Sequence, residues 1–293
     1  MTTTAADASR KDRAFERVQT WLPTRFLSWC MYVITRIEAA WFKNAFIRVF
    51  MRHFGIRLDE AEYQRPDAYR SFNHFFTRAL REGARPIADD ANALISPVDG
   101  TVSELGDIVD GRIVQAKGFD YSLVELVGGD ERIAEPFMGG GFCTIYLAPY
   151  NYHRIHMPAG GTLRDWIYVP GRLFSVNQST ARAMPRLFTR NERVIALFET
   201  DFGPLALIMV GALFVGSIET VWAGQVTPPH SRKGIGTYHL MQPVDLRRGD
   251  EAGRFNMGST VILLTAPGAV QWAAGMAAGR TLRMGESIGG PHA

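Results

Sequence analysis

The sequence has few cysteines and no long hydrophobic run, and both absences exclude classes of protein. Cys30 and Cys143 are the only cysteines among 293 residues, too few for a disulfide framework, so a reducing compartment is expected. In the apolar part at 21–55, the longest uncharged stretch (26–35) has ten residues, and a transmembrane helix needs roughly 20. Residues 1–13 contain no apolar segment typical of a signal peptide. The net charge of +3 is too weak to indicate nucleic-acid binding.

The composition divides the chain into three parts. Residues 1–13 are small and polar, which predicts a disordered tail. Residues 14–85 are predicted to be helical, with a further short helix over 68–80. Residues 86–293 form a β-rich core in which turns separate short apolar runs. The strongest runs are 143–147, 163–169, 194–198, 205–210 and 261–264. We therefore predict an α+β fold: N-terminal amphipathic helices followed by a mainly antiparallel β-sandwich or barrel-like core.

The helical part interleaves aromatic and basic residues. The residues that carry this pattern are Trp29, Arg36, Trp41, Lys43 and Arg48. Such a pattern is typical of helices lying in a membrane interface, where cations face headgroups and aromatic rings reach the acyl boundary. It is equally typical of a pair of core helices whose charged residues face water. Composition alone does not separate the two interpretations.

A Gly-Ser-Thr at 258–260 precedes the apolar run at 261–264. Glycine leaves its carbonyl open to attack, and the Ser259 hydroxyl lies one residue downstream. Attack on the Gly258 carbonyl would convert the amide to an ester, and elimination would then cut the chain. A serine needs a nearby base for this reaction. The commoner meaning of the tripeptide is a turn that leads into a strand.

Two histidines and one aspartate are the candidates for that base and its support. A neutral imidazole at His156 would accept the serine proton at physiological pH. Alternatively, His153 and His156 are ligands of a metal or ordinary turn residues, but no third ligand falls at a recognised spacing. Asp99, in Ser-Pro-Val-Asp-Gly at 96–100, is either a turn residue or the group that orients the base.

These segments together resemble one family. They are Ser-Pro-Val-Asp-Gly at 96–100, Tyr-His-Arg-Ile-His-Met-Pro at 152–158, Pro-Gly-Arg-Leu-Phe-Ser-Val-Asn at 170–177, Val-Gly-Ser-Ile-Glu-Thr-Val-Trp at 215–222 and Met-Gly-Ser-Thr at 257–260. The set is similar to that of the self-processing, pyruvoyl-dependent phosphatidylserine decarboxylases of prokaryotic type. The family usually has leucine where this chain has Met257, a swap that conserves volume and polarity.

The resemblance implies cleavage between Gly258 and Ser259 into a β chain (1–258) and an α chain (259–293). It assigns His156 as the base, Asp99 as its orienter and His153 as a neighbour of the departing carboxylate. Ser259 would become a covalent pyruvoyl group that forms a Schiff base with phosphatidylserine and releases CO2 and phosphatidylethanolamine, without a metal. It further implies an α/β heterodimer that dimerises again and binds the cytoplasmic side of the cell membrane peripherally, with no nucleic-acid partner.

Three alternatives remain from the residues themselves. Asp99, His156 and Ser259 would also suit an uncleaved serine hydrolase, and a relative that has lost processing would be a membrane-binding module. A pyruvoyl decarboxylase of a soluble amino acid would not need residues 21–55 at a membrane. The Gly-Glu-Ser-Ile-Gly at 285–289 fits a hydrolase nucleophile elbow, but no acid follows Ser287, so it is rejected.

Overall fold

A computed structural model describes residues 17, 19–116, 118–214, 217–228, 234–256 and 258–292. The predicted disordered tail over 1–13 lies outside the described residues, and so do His230 and Met257. The helices of the described part are α1 (Thr24–Ile34), α2 (Ala40–Phe54), α3 (Phe72–Phe76), α4 (Leu123–Leu126), α5 (Glu131–Ala134), α6 (Gln178–Ala183) and α7 (Leu187–Arg190), with 3-10 turns at Pro66–Ala68 and Glu135–Phe137.

The N-terminal helices form where the apolar period predicts them. α2 ends at Gly55, which adopts the left-handed conformation (φ 65°) that glycine accepts without strain. The helix predicted over 68–80 is shorter than expected and covers only Phe72–Phe76. It begins late because the Ser71 side chain caps it by accepting from the backbone N–H of His74 at 3.2 Å. It ends early because Leu80 instead pairs with Ala61 in an extended bridge.

The strands of the described part follow from residue 94 onward. They are β1 (Leu94–Ile95), β2 (Gly100–Asp107), β3 (Arg112–Ala116), β4 (Phe119–Ser122), β5 (Gly141–Leu147), β6 (Arg154–His156), β7 (Gly161–Val169), β8 (Arg193–Thr200), β9 (Gly203–Val210), β10 (Ile218–Thr220), β11 (Gly224–Gln225), β12 (Gly236–Leu246), β13 (Glu251–Phe255), β14 (Ser259–Thr265), β15 (Val270–Trp272), β16 (Thr281–Leu282) and β17 (Ser287–Pro291).

An eight-stranded antiparallel sheet dominates the core, in the order β12-β7-β8-β9-β14-β5-β2-β16. Its two edge strands do not pair with each other, so within the described residues no barrel closes. Smaller sheets have the orders β11-β10-β13-β6, β1-β17-β15 and β3-β4. All five predicted apolar runs lie inside strands of the large sheet, and the α+β prediction is confirmed.

β14 lies near the middle of the large sheet and is buried along its whole length. It pairs with β5 on one side, where Ser259 is opposite Leu147, and with β9 on the other, where Thr260 is opposite Val210. A strand buried on both faces reads as a continuous apolar run, which explains the sequence at 261–264. The first residue of this strand is Ser259.

The helical part has a small core of its own. Eight buried apolar residues form this cluster: Ile47, Ile56, Leu58, Ala61, Tyr69, Phe72, Phe75 and Phe76. The main core extends from Leu94 to Ile288 and contains the strands of the large sheet. The division at residues 85 and 86 stays a prediction, since separate clusters do not by themselves establish independent folding.

Candidate functional site

The predicted cleavage bond lies at the entrance to β14. Ser259 has no exposed surface, and its hydroxyl has no hydrogen-bond partner within the described part of the chain. The backbone at Gly258 is open, because a Cβ placed there would meet no atom closer than the Leu147 carbonyl oxygen at 3.8 Å. An unpartnered hydroxyl therefore directly follows a glycine whose Cα has open space beside it, and both features favour intramolecular acyl transfer.

Further buried polar atoms without partners accompany it. They are His153 Nδ1, Ser217 Oγ, Asn256 Nδ2 and Thr260 Oγ1. Backbone hydrogen bonds tie two of these residues to the segment before the predicted cleavage bond: the Phe255 N–H donates to the His153 carbonyl and the Asn256 N–H to the Ser217 carbonyl, each at 3.0 Å. Buried polar groups are nearly always paired in proteins, so the unpartnered atoms near Ser259 make this segment a candidate site.

A small cavity of about 110 Å³ adjoins the bond. Gly258 lines it together with Leu147, Ser175, Asn177 and Ala212. The structure thereby brings the segment at 170–177 to the cleavage site, although that segment lies some eighty residues away in the sequence. The cavity leaves open space beside the half-buried Gly258.

His153 is completely buried and presents one free ring nitrogen. Its Nε2 lies 3.1 Å from the Ala148 carbonyl, which only accepts, so Nε2 carries the proton and Nδ1 keeps a lone pair. The ring stacks on Phe76 with 4.1 Å between centroids. Burial, and then the charge of Arg78, lower the pKa of His153 to about 3, although hydrogen bonds to backbone carbonyls oppose this. The imidazole is therefore neutral at physiological pH and is a proton acceptor through Nδ1.

His156 is held at both ring nitrogens. Nδ1 lies 2.8 Å from the Gly249 carbonyl and therefore carries the proton, while Nε2 accepts from the Tyr152 hydroxyl at 2.9 Å. Burial lowers the pKa of His156, and the bond to Gly249 and the charges of Glu251 and Asp99 act in the opposite direction. The Gly249 carbonyl thus sets the tautomer, a task that the sequence analysis gives to Asp99.

The strand register separates the two histidines. His153 is bonded to Phe255, whereas His156 is opposite Glu251 at the other end of β13. The two histidines are three residues apart on one side of this ladder, so at a strand rise of about 3.3 Å per residue His156 lies about 10 Å farther from the cleavage bond. On this ladder the nearer histidine to Ser259 is therefore His153.

Asp99 is buried and paired with an arginine. Its carboxylate accepts from Arg85 Nε at 2.8 Å and Nη2 at 2.5 Å, and from the backbone N–H of Met284 at 2.9 Å. It lies at the start of β2, two strands away from β14, a separation of about 10 Å. Among the described residues, no hydrogen bond joins Asp99 to His156 or either of them to Ser259. The catalytic roles of these residues stay predictions.

The predicted membrane-binding residues differ in exposure. Trp29 and Trp41 are 52% and 80% exposed, and Arg48 is also exposed. Arg36 lies over the Tyr32 ring, 3.6 Å from its centroid. Lys43 is buried, and its amine donates to Asn44 Oδ1 at 2.7 Å and to the Asp67 carbonyl at 3.3 Å, so it does not face outward. No helix in the described residues has the length and apolar character to cross a membrane.

Three residues that adjoin the candidate groups were not predicted from the sequence: Arg78, Arg85 and Tyr152. Tyr152 belongs to the family-like segment at 152–158, so the sequence contained a signal that could have identified it. Arg85 lies in a stretch that reads as a linker, and Arg78 follows a short aromatic helix. The described residues contain no group of three or more histidine, cysteine, aspartate or glutamate side chains able to hold a metal.

Comparison with known proteins identifies the family. A family model described as phosphatidylserine decarboxylase matches residues 72–290, and a second, described as PSD, matches residues 15–55. This chain belongs to the phosphatidylserine decarboxylase family. A phosphatidylserine decarboxylase proenzyme from Pseudomonas fluorescens is 52% identical over 281 residues, which cover 95% of this chain and 98% of the relative. Proenzymes of the same name from Stutzerimonas stutzeri (50% over 283 residues, 95% of each chain) and Nitrosococcus oceani (52% over 269 residues, 92% and 88%) are similar.

Membership of the phosphatidylserine decarboxylase family confirms the predicted resemblance and the prediction of a carboxy-lyase. It gives no support to the serine-hydrolase alternative or to a relative without activity. The relatives are named proenzymes, which implies that they are processed after synthesis.

Proposed function

We propose that this chain is the precursor of a phosphatidylserine decarboxylase that cuts itself between Gly258 and Ser259. The observation that carries the proposal is the buried Ser259 hydroxyl, which has no hydrogen-bond partner among the described residues and directly follows Gly258, where no side chain shields the backbone. The products would be a β chain of residues 1–258 and an α chain of residues 259–293. The α chain would begin with a pyruvoyl group made from Ser259.

The cleavage chemistry balances with one water molecule. The Ser259 oxygen attacks the Gly258 carbonyl, the C–N bond breaks, and an ester replaces the amide. A base then removes the Ser259 α-proton, so the ester C–O bond breaks, Gly258 leaves as a carboxylate, and position 259 becomes dehydroalanine. The imine tautomer of this dehydroalanine adds water and loses ammonia, which leaves the ketone of the pyruvoyl group. The free Ser259 hydroxyl and the small cavity at Gly258 fit a group formed at this position.

On the strength of the family resemblance, His156 is proposed as the base that activates Ser259, with Asp99 in support, although His153 is the nearer histidine along the strand ladder. The Nε2 of His156 must leave the Tyr152 hydroxyl to act, while the bond from Nδ1 to Gly249 keeps the tautomer that a base requires. The Asp99 charge favours the imidazolium, since it acts to raise the pKa of His156. Asp99 therefore contributes through its field, and the Gly249 carbonyl contributes through direct contact.

In the decarboxylation reaction, which follows self-cleavage, the pyruvoyl group would supply a ketone that takes up the substrate amine. It would also accept the electron pair left behind by CO2. His153 is proposed to hold and return the proton at the carbon that loses the carboxylate. Its Nδ1 has no partner among the described residues, and because the pKa of His153 is low, a proton taken up at Nδ1 during the reaction is released readily to the carbon. A neutral, buried surrounding also disfavours a carboxylate and favours its loss as a neutral molecule.

The helical part is proposed to place the enzyme on the cytoplasmic face of the cell membrane as a peripheral protein. Large apolar side chains of α1 and α2 face outward, among them Trp29, Trp41 and Val49, which is 67% exposed. Exposed aromatic residues with neighbouring cations suit the headgroup boundary of an anionic bilayer. Further dimerisation of the α/β unit is part of the same proposal and rests on the family resemblance alone.

Intact-mass spectrometry of purified protein tests the proposal. Two chains are expected, and the α chain should be lighter by one ammonia than the same peptide with a free serine and should react with phenylhydrazine. Ser259→Ala should remain one inactive chain. Ser287→Ala, at the rejected elbow motif, is the matched control and should cut and decarboxylate normally. A wild-type protein that stays intact with Ser259 unmodified would overturn the proposal and favour the uncleaved hydrolase.

A further inference from the structure

A cavity of about 350 Å³ lies where the helical part meets the β-rich core. One wall is the chain at 54–61, directly after α2, and another is the chain at 150–152, which follows β5. Asp99 and Tyr152, which contacts His156, also line this cavity. The cavity therefore connects the outward-facing helices with the residues proposed for catalysis.

Arg78 is the only charged residue lining this cavity that has no ion pair, counting the described residues. The other charged residues pair with one another: Arg57 with Asp59, and Arg85 with both Glu60 and Asp99. Each acid that lines the cavity is already matched by an arginine, so Arg78 has no acidic partner among the described residues, and its guanidinium lies over the Phe75 ring, 5.5 Å from the centroid. Buried charges in proteins are normally paired or bound to a ligand.

The hydrogen bonds of the Arg78 guanidinium indicate which kind of ligand it could bind. The residue is 6% exposed, its Nη2 donates to the Tyr150 carbonyl at 3.3 Å, and its Nη1 has no hydrogen-bond partner. Burial lowers the pKa of Arg78, which shows how poorly its charge is solvated. A guanidinium with free donors matches the oxygens of a phosphate or carboxylate group, which it can bind with two parallel hydrogen bonds.

Arg78 is also within reach of the reaction site. Leu147 is opposite Ser259, and Tyr150, whose carbonyl Arg78 contacts, follows three residues later. Three residues of chain span at most about 11 Å. The charge of Arg78 also acts on His153, whose pKa it helps to lower. Arg78 therefore lies close to His153 and to the chain that follows the partner strand of Ser259.

We propose that Arg78 binds the phosphodiester of the phospholipid headgroup and that the cavity beside Asp99 receives this group. This assignment deepens the proposed decarboxylase function and rests on it. The substrate carboxylate is the less suitable partner, because an arginine that holds it would stabilise the ground state and oppose the loss of CO2. The phosphodiester keeps its charge throughout the reaction and serves as a fixed anchor.

Binding to uncut protein tests the assignment without turnover. In the Ser259→Ala background, short-chain dihexanoylphosphatidylserine and dihexanoylphosphatidylethanolamine are titrated by calorimetry. Arg78→Met should weaken both ligands by roughly 10- to 100-fold, the range for one charge-assisted contact. Arg78→Lys should recover part of the loss. Arg132→Met, which removes an exposed arginine paired with Asp130, is the matched control and should bind both ligands as the parent does.

The outcomes separate a ligand site from a structural arginine. If only phosphatidylserine weakens, Arg78 holds the carboxylate and the phosphodiester assignment is wrong. If neither ligand weakens, Arg78 is not in the site. Urea unfolding of the same proteins should place the Arg78→Met midpoint at or above that of the parent, because an unpaired buried charge is removed. A lower midpoint would make Arg78 a structural residue. Failure of wild-type cleavage would refute the decarboxylase function but leave the binding result in place.

Discussion

The Asp99–Arg85 pair offers a sharp test of what Asp99 contributes. Asp99→Asn in the Ser259→Ala background keeps the size of the side chain but removes its charge, and no cleavage interferes with the measurement. Both partners are buried, with side-chain exposures of 7% and 8%. The carboxylate accepts two bonds from Arg85 and one from Met284. An asparagine oxygen can accept only some of these hydrogen bonds, and it has no negative charge to balance the buried Arg85 guanidinium.

Breaking a buried ion pair by removing one partner costs about 3–5 kcal/mol. Since Glu60 still accepts from Arg85 at 2.9 Å, we expect the low end, a loss of about 3 kcal/mol in the free energy of unfolding. Urea unfolding followed by circular dichroism should show a midpoint lower by roughly 1 M, if the dependence on urea is near 3 kcal/mol/M. Glu60→Gln is the matched control, and because Glu60 is partly exposed its loss should stay near 1 kcal/mol.

The same substitution in a chain that keeps Ser259 should also slow cleavage, because the field that favours the His156 imidazolium is lost. Gel analysis of precursor and product over time measures this rate. A loss of stability below about 1 kcal/mol for Asp99→Asn would refute the reasoning, since the ion pair could then not be formed as described. Normal stability with stalled cleavage would instead assign Asp99 to direct catalysis.

Two further predictions concern His153 and the membrane. His153→Ala should still cut the chain but lose about 10²- to 10⁴-fold in CO2 release from labelled phosphatidylserine, and a folded variant that never cuts would contradict the division of roles. Because the pKa of His153 falls from 6.5 to about 3 on folding, the unfolded state binds the extra proton between these values. Stability of uncut protein should thus fall by up to about 1.4 kcal/mol per pH unit as the pH drops below 6.5, and His153→Phe should flatten that slope in urea titrations at several pH values. Replacing Trp29 and Trp41 by serine should reduce co-sedimentation with anionic vesicles at high salt. Arg48→Gln should reduce it mainly at low salt, where charge attraction is less screened. Unchanged pelleting of all variants would reject the membrane proposal.

The strands were predictable because burial on both faces leaves a clear trace in sequence. The run at 261–264 reads as a strand from its apolar residues alone, and β14 contains it. The length of the helix over 68–80 was overestimated. Its start is set by the Ser71 side-chain cap and its end by the bridge between Leu80 and Ala61, and the apolar period of the sequence shows neither. Local pattern therefore predicts where an element lies better than where it begins and ends.

The site residues were named from sequence, but their partners were not. Asp99 reads as a partner for a histidine, yet it bonds Arg85, fourteen residues before it in an apparent linker. Both histidines bond backbone carbonyls, His156 that of Gly249 and His153 that of Ala148. Every residue has such a carbonyl, so the residue type does not indicate which one is the partner. The tautomer of each ring follows from these contacts, so it is a property of the fold that residue types cannot reveal.

The central position of β14 changes what kind of molecule cleavage leaves behind. β14 pairs with β5 and β9, β16 pairs with β2, and β17 pairs with β1, so the segment after Ser259 has strand partners before the cut in two different sheets. The cut chains should stay together in the native state. Once unfolded, however, they are separate molecules, and recovery becomes a second-order process that weakens with dilution. Cleavage would thereby replace refolding within one chain by reassembly of two chains, so the lifetime of the processed enzyme would depend on how rarely it unfolds.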